Sequence, residues 1–167
     1  MEAQGGKFLT FTLANEVYGI PIKKVKEIIG IMEITNIPKT NECVKGVINL
    51  RGKIIPIIDL RLKFGMEEKP YTERTCIIVI EIFLSGIQKL IGVVVDAVAE
   101  VLNIQSGEIE PSLEYETQIG DNFLTGIGKV KEKIVLILEI EKILNVAEII
   151  SIKKEQAALG EPLNNIV

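Results

Sequence analysis

With 167 residues the chain can bury a substantial core, either as one domain or as two small barrels sharing an interior, but it is short for a large enzyme. Hydrophobic residues make up 47% of it and aromatics 5%, with no tryptophan, so its core must be built from Ile, Val and Leu, a composition that favours strands. A net charge of -4 gives nucleic acid and anionic lipid no electrostatic reason to bind, and the absence of histidine removes a general base active near neutral pH, the commonest metal ligand and a phosphorelay acceptor together.

The opening run, Met1 to Lys7, has no basic region followed by an apolar stretch, so no secretory signal is expected. Phe8 to Leu13 is the first strand, with Leu9, Phe11 and Leu13 on one face and Thr10 and Thr12 on the other. After a turn at Asn15-Glu16, Tyr18 to Ile22 reads as a short strand that Pro21 restricts to an edge or bulge. Ile22, Val25 and Ile28 recur at every third residue, which predicts one helical turn before the chain extends again from Ile28 to Ile34. Asn36-Ile37-Pro38 ends that stretch.

Val44 to Phe64 reads as a hairpin around a tight Asn49-Leu50-Arg51-Gly52 turn, where Asn and Gly supply the backbone freedom. The Ile pairs around Pro56 put apolar neighbours on both faces of its second strand. Gly65 to Pro70 is a connector, and Thr75 to Ile82 a leading strand like Phe8 to Leu13. The apolar segment from Leu90 to Leu102 is interrupted by Asp96 and Glu100, short of the roughly 20 residues that span a bilayer. Cys43 and Cys76 match neither a zinc pattern nor a redox pair and read as reduced, buried thiols. A terminal helix over Lys153 to Leu159 is peripheral.

These features come twice. Gly19 to Ile29 aligns with Gly92 to Leu102 at an offset of 73 (92 minus 19), which Pro38 and Pro111 share. Gly46 to Phe64 aligns with Gly126 to Leu144 at an offset of 80 (126 minus 46), and the extra residues fit the polar Tyr115 to Asn122 loop. The expectation is an all-β chain made of two copies of one small barrel, roughly 7-66 and 75-150, within a single domain over 1-150, followed by a tail or short helix over 151-167.

Chemical motifs are sparse. Gly46 to Lys53 differs from a phosphate-binding loop, because five residues rather than four separate its glycines and Ile54 stands where Ser or Thr would hold magnesium. Gly126-Ile127-Gly128 lacks the third glycine of a dinucleotide fingerprint. Asp59, Glu81, Asp96 and Glu100 are scattered singly, as solvated strand carboxylates are, without the pairing that metal binding or glycoside hydrolysis requires. Glu27, between Val25 and Ile28, and Arg51, in the hairpin turn, stand out by their apolar surroundings. By spacing alone the favoured reading of each is simply an exposed residue, and an exposed pair would contribute only about 0.2 to 1 kcal/mol.

The run from Pro38 to Phe64, above all Val44 to Arg61, resembles the most recognisable stretch of the CheW family of chemotaxis coupling proteins. The resemblance extends upstream through Tyr18-Gly19-Ile20, Val25 to Ile28 and Ile37-Pro38, and downstream through Ile91 to Val98. It implies two SH3-like five-stranded barrels around a shared hydrophobic core, and a cytoplasmic, non-catalytic adaptor without cofactor or metal, recruited to membrane-associated chemoreceptor arrays. Similar domains end the kinase CheA and join a receiver in CheV; at this length the stand-alone coupler is expected.

The implied partners are the cytoplasmic tip of a methyl-accepting chemoreceptor and the regulatory domain of CheA, with no nucleic acid and no membrane insertion. Carried over by position, a receptor groove between the barrels would involve Leu9, Ile22, Val25, Ile28 and Val98, with Glu27 and Arg51 as a functional pair beside it. The resemblance leaves the CheA contacts unassigned. The second hairpin departs from the pattern: Lys129-Val130-Lys131-Glu132 lacks both the Arg-Gly and the Asn. A β interaction module outside chemotaxis is the alternative reading, and a small ligand-binding or enzymatic barrel a more distant one. Whether the first strand stays with its own barrel is open.

Overall fold

The computed structural model describes residues 4–84, 86–111 and 123–144. The tail helix over 153–159 and the 115–122 loop lie outside them. Eleven strands and two four-residue helices follow in the order β1 (Gly6–Leu13), β2 (Glu16–Pro21), β3 (Val25–Gly30), β4 (Val44–Leu50), β5 (Lys53–Asp59), α1 (Leu60–Lys63), β6 (Cys76–Leu84), β7 (Ile87–Val95), β8 (Ala97–Ile104), β9 (Ile109–Pro111), β10 (Leu124–Val130), β11 (Lys133–Leu138) and α2 (Ile140–Ile143). The repeat is visible element by element: β3 matches β8, the β4–β5 hairpin matches β10–β11, and α1 matches α2.

The strands form two mixed sheets. One has the order β8-β1-β2-β11-β10-β9 and the other β3-β6-β7-β5-β4. The β1–β2 hairpin therefore crosses over and joins the strands of the second repeat, while β6–β7 joins those of the first. Each crossing strand makes a short parallel ladder, Leu136 and Ile137 to Tyr18 and Gly19 in one sheet and Ile57 to Asp59 beside Gly92 to Val94 in the other. Sequence pattern could not choose between partners, because both repeats offer the same alternation of apolar and polar residues.

Neither six- nor five-stranded sheet is a closed barrel in its strand pairing. Each nevertheless encloses its own apolar cluster, Ile48, Ile55, Ile57, Ile77, Val79 and Val94 in one and Phe8, Ile104, Ile109, Val135 and Ile137 in the other. The opposite faces meet in a third, larger cluster. Strand β6 shows how: Ile77 and Val79 point into its own sheet, Ile78, Ile80 and Ile82 into the shared core. Four rings cross that core as a ladder, Phe11 stacked on Tyr18 at 5.9 Å, Tyr18 on Phe64 at 5.8 Å and Phe64 on Phe123 at 5.3 Å.

Three sequence expectations are corrected. Strand β2 is not an edge: it lies between β1 and β11, and Pro21 is tolerated because it is the last residue of the strand. The helical turn between β2 and β3 is only the 3-10 turn Ile22–Lys24, with Val25 already paired to Ile80, and β3 stops at Gly30 instead of continuing to Ile34. Where the sequence suggests that the hairpins run on to Phe64 and Leu144, their strands end at Asp59 and Leu138 and the short helices α1 and α2 follow. Asp59 starts α1 by accepting the backbone N–H groups of Arg61 and Leu62, whereas Glu139 at the matching place in α2 makes no such cap and accepts the Thr125 hydroxyl at 2.9 Å.

Candidate functional site

The structure places the sequence-derived groove residues in three different settings. Ile22, Val25 and Val98 are half-buried, and all three pack against the shared core cluster. Val25 lies on β3, an edge of one sheet, and Val98 on β8, an edge of the other. Both follow a β-bulge geometry that the repeat conserves: register shifts fall between Val25 and Glu27 opposite β6, and between Leu9 and Phe11 opposite β8. At the second bulge the buried Thr10 hydroxyl donates to the Glu100 carbonyl at 2.7 Å and accepts from its N–H at 3.1 Å. Leu9 is 2% exposed and belongs to the core itself, so it backs this surface from beneath. Ile28 is 41% exposed on β3.

Glu27 and Arg51 do form an ion pair, and it is a surface one, with Arg51 70% exposed and Glu27 30%. Arg51 stands in the two-residue β4–β5 turn in left-handed backbone conformation (φ 51), followed by Gly52 (φ 87), whose N–H is held by the Asn49 side chain at 2.9 Å.

A second polar constellation was missed in the sequence. Arg61 of α1 makes a two-pronged bridge to Asp96, Nε to Oδ1 and Nη2 to Oδ2, each at 2.6 Å. Asp96 also accepts the Ala14 N–H at 2.9 Å. Burial opposes its ionisation, but hydrogen bonds from Arg61 and the Ala14 N–H, with the charges of Arg61 and Lys69, outweigh that and hold its carboxyl below the ordinary value. The same bridge raises the Arg61 guanidinium against the cost of burial. Asp59 is 2% exposed and takes the Tyr71 hydroxyl at 2.9 Å; burial first, then the neighbouring Asp59 carboxylate, pushes the Tyr71 phenol above its ordinary value.

Asp59 and Asp96 are thus not the solvated strand carboxylates expected of them. Their signal was faint: an Asp at a strand end before Leu60-Arg61-Leu62 is a helix start, but nothing in the spacing joins positions 61 and 96. Glu81 faces Lys26 at 3.8 Å and Glu100 is exposed, closer to expectation. Cys43 is buried as expected, whereas Cys76 is only half-buried, and neither is in a disulfide. Among the described residues no group of three or more Cys, Asp or Glu is placed to hold a metal, and no helix is long and apolar enough to cross a membrane.

The family model of the CheW-like domain matches residues 7–148. The chain is 44% identical over 147 residues to the chemotaxis protein CheW of Klebsiella aerogenes, covering 88% of this chain and 86% of that one. It is 36% identical over 139 residues to the CheW of Helicobacter pylori, covering 83% and 81%. The crystal structure of the scaffolding protein CheW from Thermoanaerobacter tengcongensis superposes with a TM-score of 0.77 at 39% identity, over 87% of this chain and 96% of that one.

Proposed function

The chain belongs to the CheW family and is a chemotaxis adaptor, and from that premise we propose that it couples methyl-accepting chemoreceptors to the histidine kinase CheA. The receptor's helical tip would lie along the seam between the sheets, on Ile22, Val25 and Val98, with Leu9 behind them and Ile28, Glu27 and Arg51 beside them. The CheA regulatory domain would take other faces of the molecule. One observation carries this reading: half-buried apolar residues from the edges of two different sheets rest on one shared core cluster, which leaves an apolar surface of the kind that accepts the apolar face of a helix.

The adaptor acts without chemistry of its own. The sequence has no histidine, and the buried carboxylate Asp59 is committed to a helix cap and a tyrosine while Asp96 is committed to an arginine. Its place is the cytoplasm, at membrane-associated receptor arrays, and its working unit is one domain over 1-150 with 151-167 as a tail. Each sheet is a coiled, SH3-like barrel in this reading. In support, Thr35, beyond the end of β3, exchanges both backbone hydrogen bonds with Val47 of β4, at 2.8 and 2.9 Å, which links the two edges of the five-stranded sheet. In the other sheet, the edge strands β8 and β9 are joined by a single turn, Ser106–Glu108.

The test is calorimetric titration of the whole chain with a receptor-tip fragment and with the CheA regulatory domain, separately and in succession. Binding of each, with the second partner accepted after the first is saturated, is the expected result. Failure to bind either, or mutual exclusion of the two, overturns the coupling reading.

A further inference from the structure

The chain passes between the two sheets at only two points among the described residues, the turn Ile22–Lys24 between β2 and β3, and Asp96 between β7 and β8. Each crossing carries one member of an ion pair. Asp96 is bound by Arg61 of α1, and Lys24 is bound by Glu141 of α2. Positions 61 and 141 are the same place in the two repeats, related by the offset of 80 (141 minus 61) that relates the hairpins. The polarity is reversed between them.

We propose that these two pairs are positioning devices for the apolar seam, each fastening a crossing to the short helix that closes the sheet the chain is leaving, and so setting where Ile22, Val25 and Val98 stand. The seam residues flank the crossings: Ile22 and Val25 lie on either side of Lys24, and Val98 is two positions after Asp96. Each crossing borders an open cleft, about 280 Å³ beside Arg61 and Asp96 and about 510 Å³ beside Lys24 and Glu141, so on that side the ion pair rather than packed neighbours meets the crossing. The reversed polarity has a further effect. In a molecule of two similar halves each helix could meet the wrong crossing, but Arg61 against Lys24, or Glu141 against Asp96, would set like charges together, which disfavours that arrangement.

The two devices differ in stiffness. The Arg61 side chain is 10% exposed and grips Asp96 with two parallel bonds, so the Val98 side of the seam is held rigidly. Lys24 and Glu141 are 30% and 32% exposed and form a single flexible contact, so the Ile22 and Val25 side can be adjusted.

Since the role of the seam rests on the receptor reading above, the test includes a readout that needs no partner. The variant Glu141→Lys places like charges at the half-exposed crossing, where folding should survive; Lys24→Glu with Glu141→Lys restores the attraction in reverse. Methyl NMR spectra of Ile22, Val25 and Val98 are recorded for the whole chain in each form, with titrations against a receptor-tip fragment and the CheA regulatory domain. In Glu141→Lys the Ile22 and Val25 methyl signals should move while Val98 stays, receptor affinity should fall at least about fivefold, and CheA affinity should hold. The double reversal should restore all of them. Unmoved methyl signals in Glu141→Lys, or no rescue by the double reversal, overturns the positioning role. Moved and rescued signals in a chain that binds no receptor fragment even unmutated would uphold the positioning role and sink the receptor reading instead.

Discussion

Glu27 and Arg51 form their ion pair across the two opposite edges of one sheet: Glu27 is on β3, the first strand in the order β3-β6-β7-β5-β4, and Arg51 directly follows β4, the last, in the β4–β5 turn. A flat sheet would keep these residues four strand spacings apart, roughly 19 Å. The sheet therefore coils on itself, and the Thr35–Val47 bridge, between the chain beyond β3 and β4, brings the same edges together. Its exposure limits what it contributes to stability. A double-mutant cycle with Glu27→Ala and Arg51→Ala, read by chemical denaturation, should give a coupling below about 1 kcal/mol. A coupling of about 3 kcal/mol would mean that the pair is buried in solution.

Coiling of the same sheet depends on Gly46. Its φ is 137°, and a Cβ built there would lie 2.0 Å from the Thr35 carbonyl oxygen, a backbone atom that cannot step aside. Gly46→Ala should cost at least about 2 kcal/mol by denaturant titration, through strain and loss of the bridge together. Gly128 in β10 is the control: its Cβ would first meet the Ile104 Cδ1 at 3.4 Å, an ordinary contact with a flexible side chain. Gly128→Ala should stay within about 1 kcal/mol. Equal costs would show that the close approach at Gly46 is not what requires glycine.

The repeat is legible because strand runs and turn residues survive in both halves, and the offsets of 73 and 80 align the strands and hairpins that correspond, whereas the matching bulges and short helices show only in the structure. What was not legible was the pairing between halves. Strands β1 and β6 each lead their half of the chain, and nothing in either sequence names the sheet it joins; the strand pairing, with Phe11, Tyr18, Phe64 and Phe123 packed across the core, expresses the outcome. Charged residues were the other blind spot. Arg61 and Asp96 lie 35 positions apart on different elements, and a charge among strand residues reads as solvated until tertiary structure supplies its partner.

The Arg61–Asp96 bridge makes stability depend on acid. The folded-state pKa of Asp96 is held below its unfolded value, so the contribution is fully present above the unfolded pKa and is lost as pH falls through the folded one. Asp96→Asn should lower stability near neutral pH by about 3 kcal/mol, since it strands a buried guanidinium. As pH falls below about 4, the ordinary value for an aspartate, the difference between the variant and the unaltered chain should begin to narrow, and it should close only below the lowered folded-state pKa, where the native carboxyl is protonated as well. Denaturant titrations at neutral and strongly acidic pH measure both; a constant difference would dissociate Asp96 from the acid response.

The last prediction separates groove from core at Val98. Its side chain is only half-buried, and the cluster beneath it is completed by fully buried residues such as Leu9, Phe11 and Leu13. A carboxylate placed there can turn outward into water in the free protein, so Val98→Glu should lower the melting temperature by only a few degrees, as a loss of about 1 kcal/mol does in a domain of this size. A helix docked on the seam would close that route to water. The charge would then be desolvated at a cost of a few kcal/mol, and receptor-tip affinity should fall at least about tenfold, since each 1.4 kcal/mol is a factor of ten. CheA affinity should be nearly unchanged. If Val98 instead holds the fold together, the same variant will melt far lower and lose both partners at once. Melting temperature and the two affinities, measured on this one variant, therefore decide whether Val98 on β8 belongs to a binding surface or to the core.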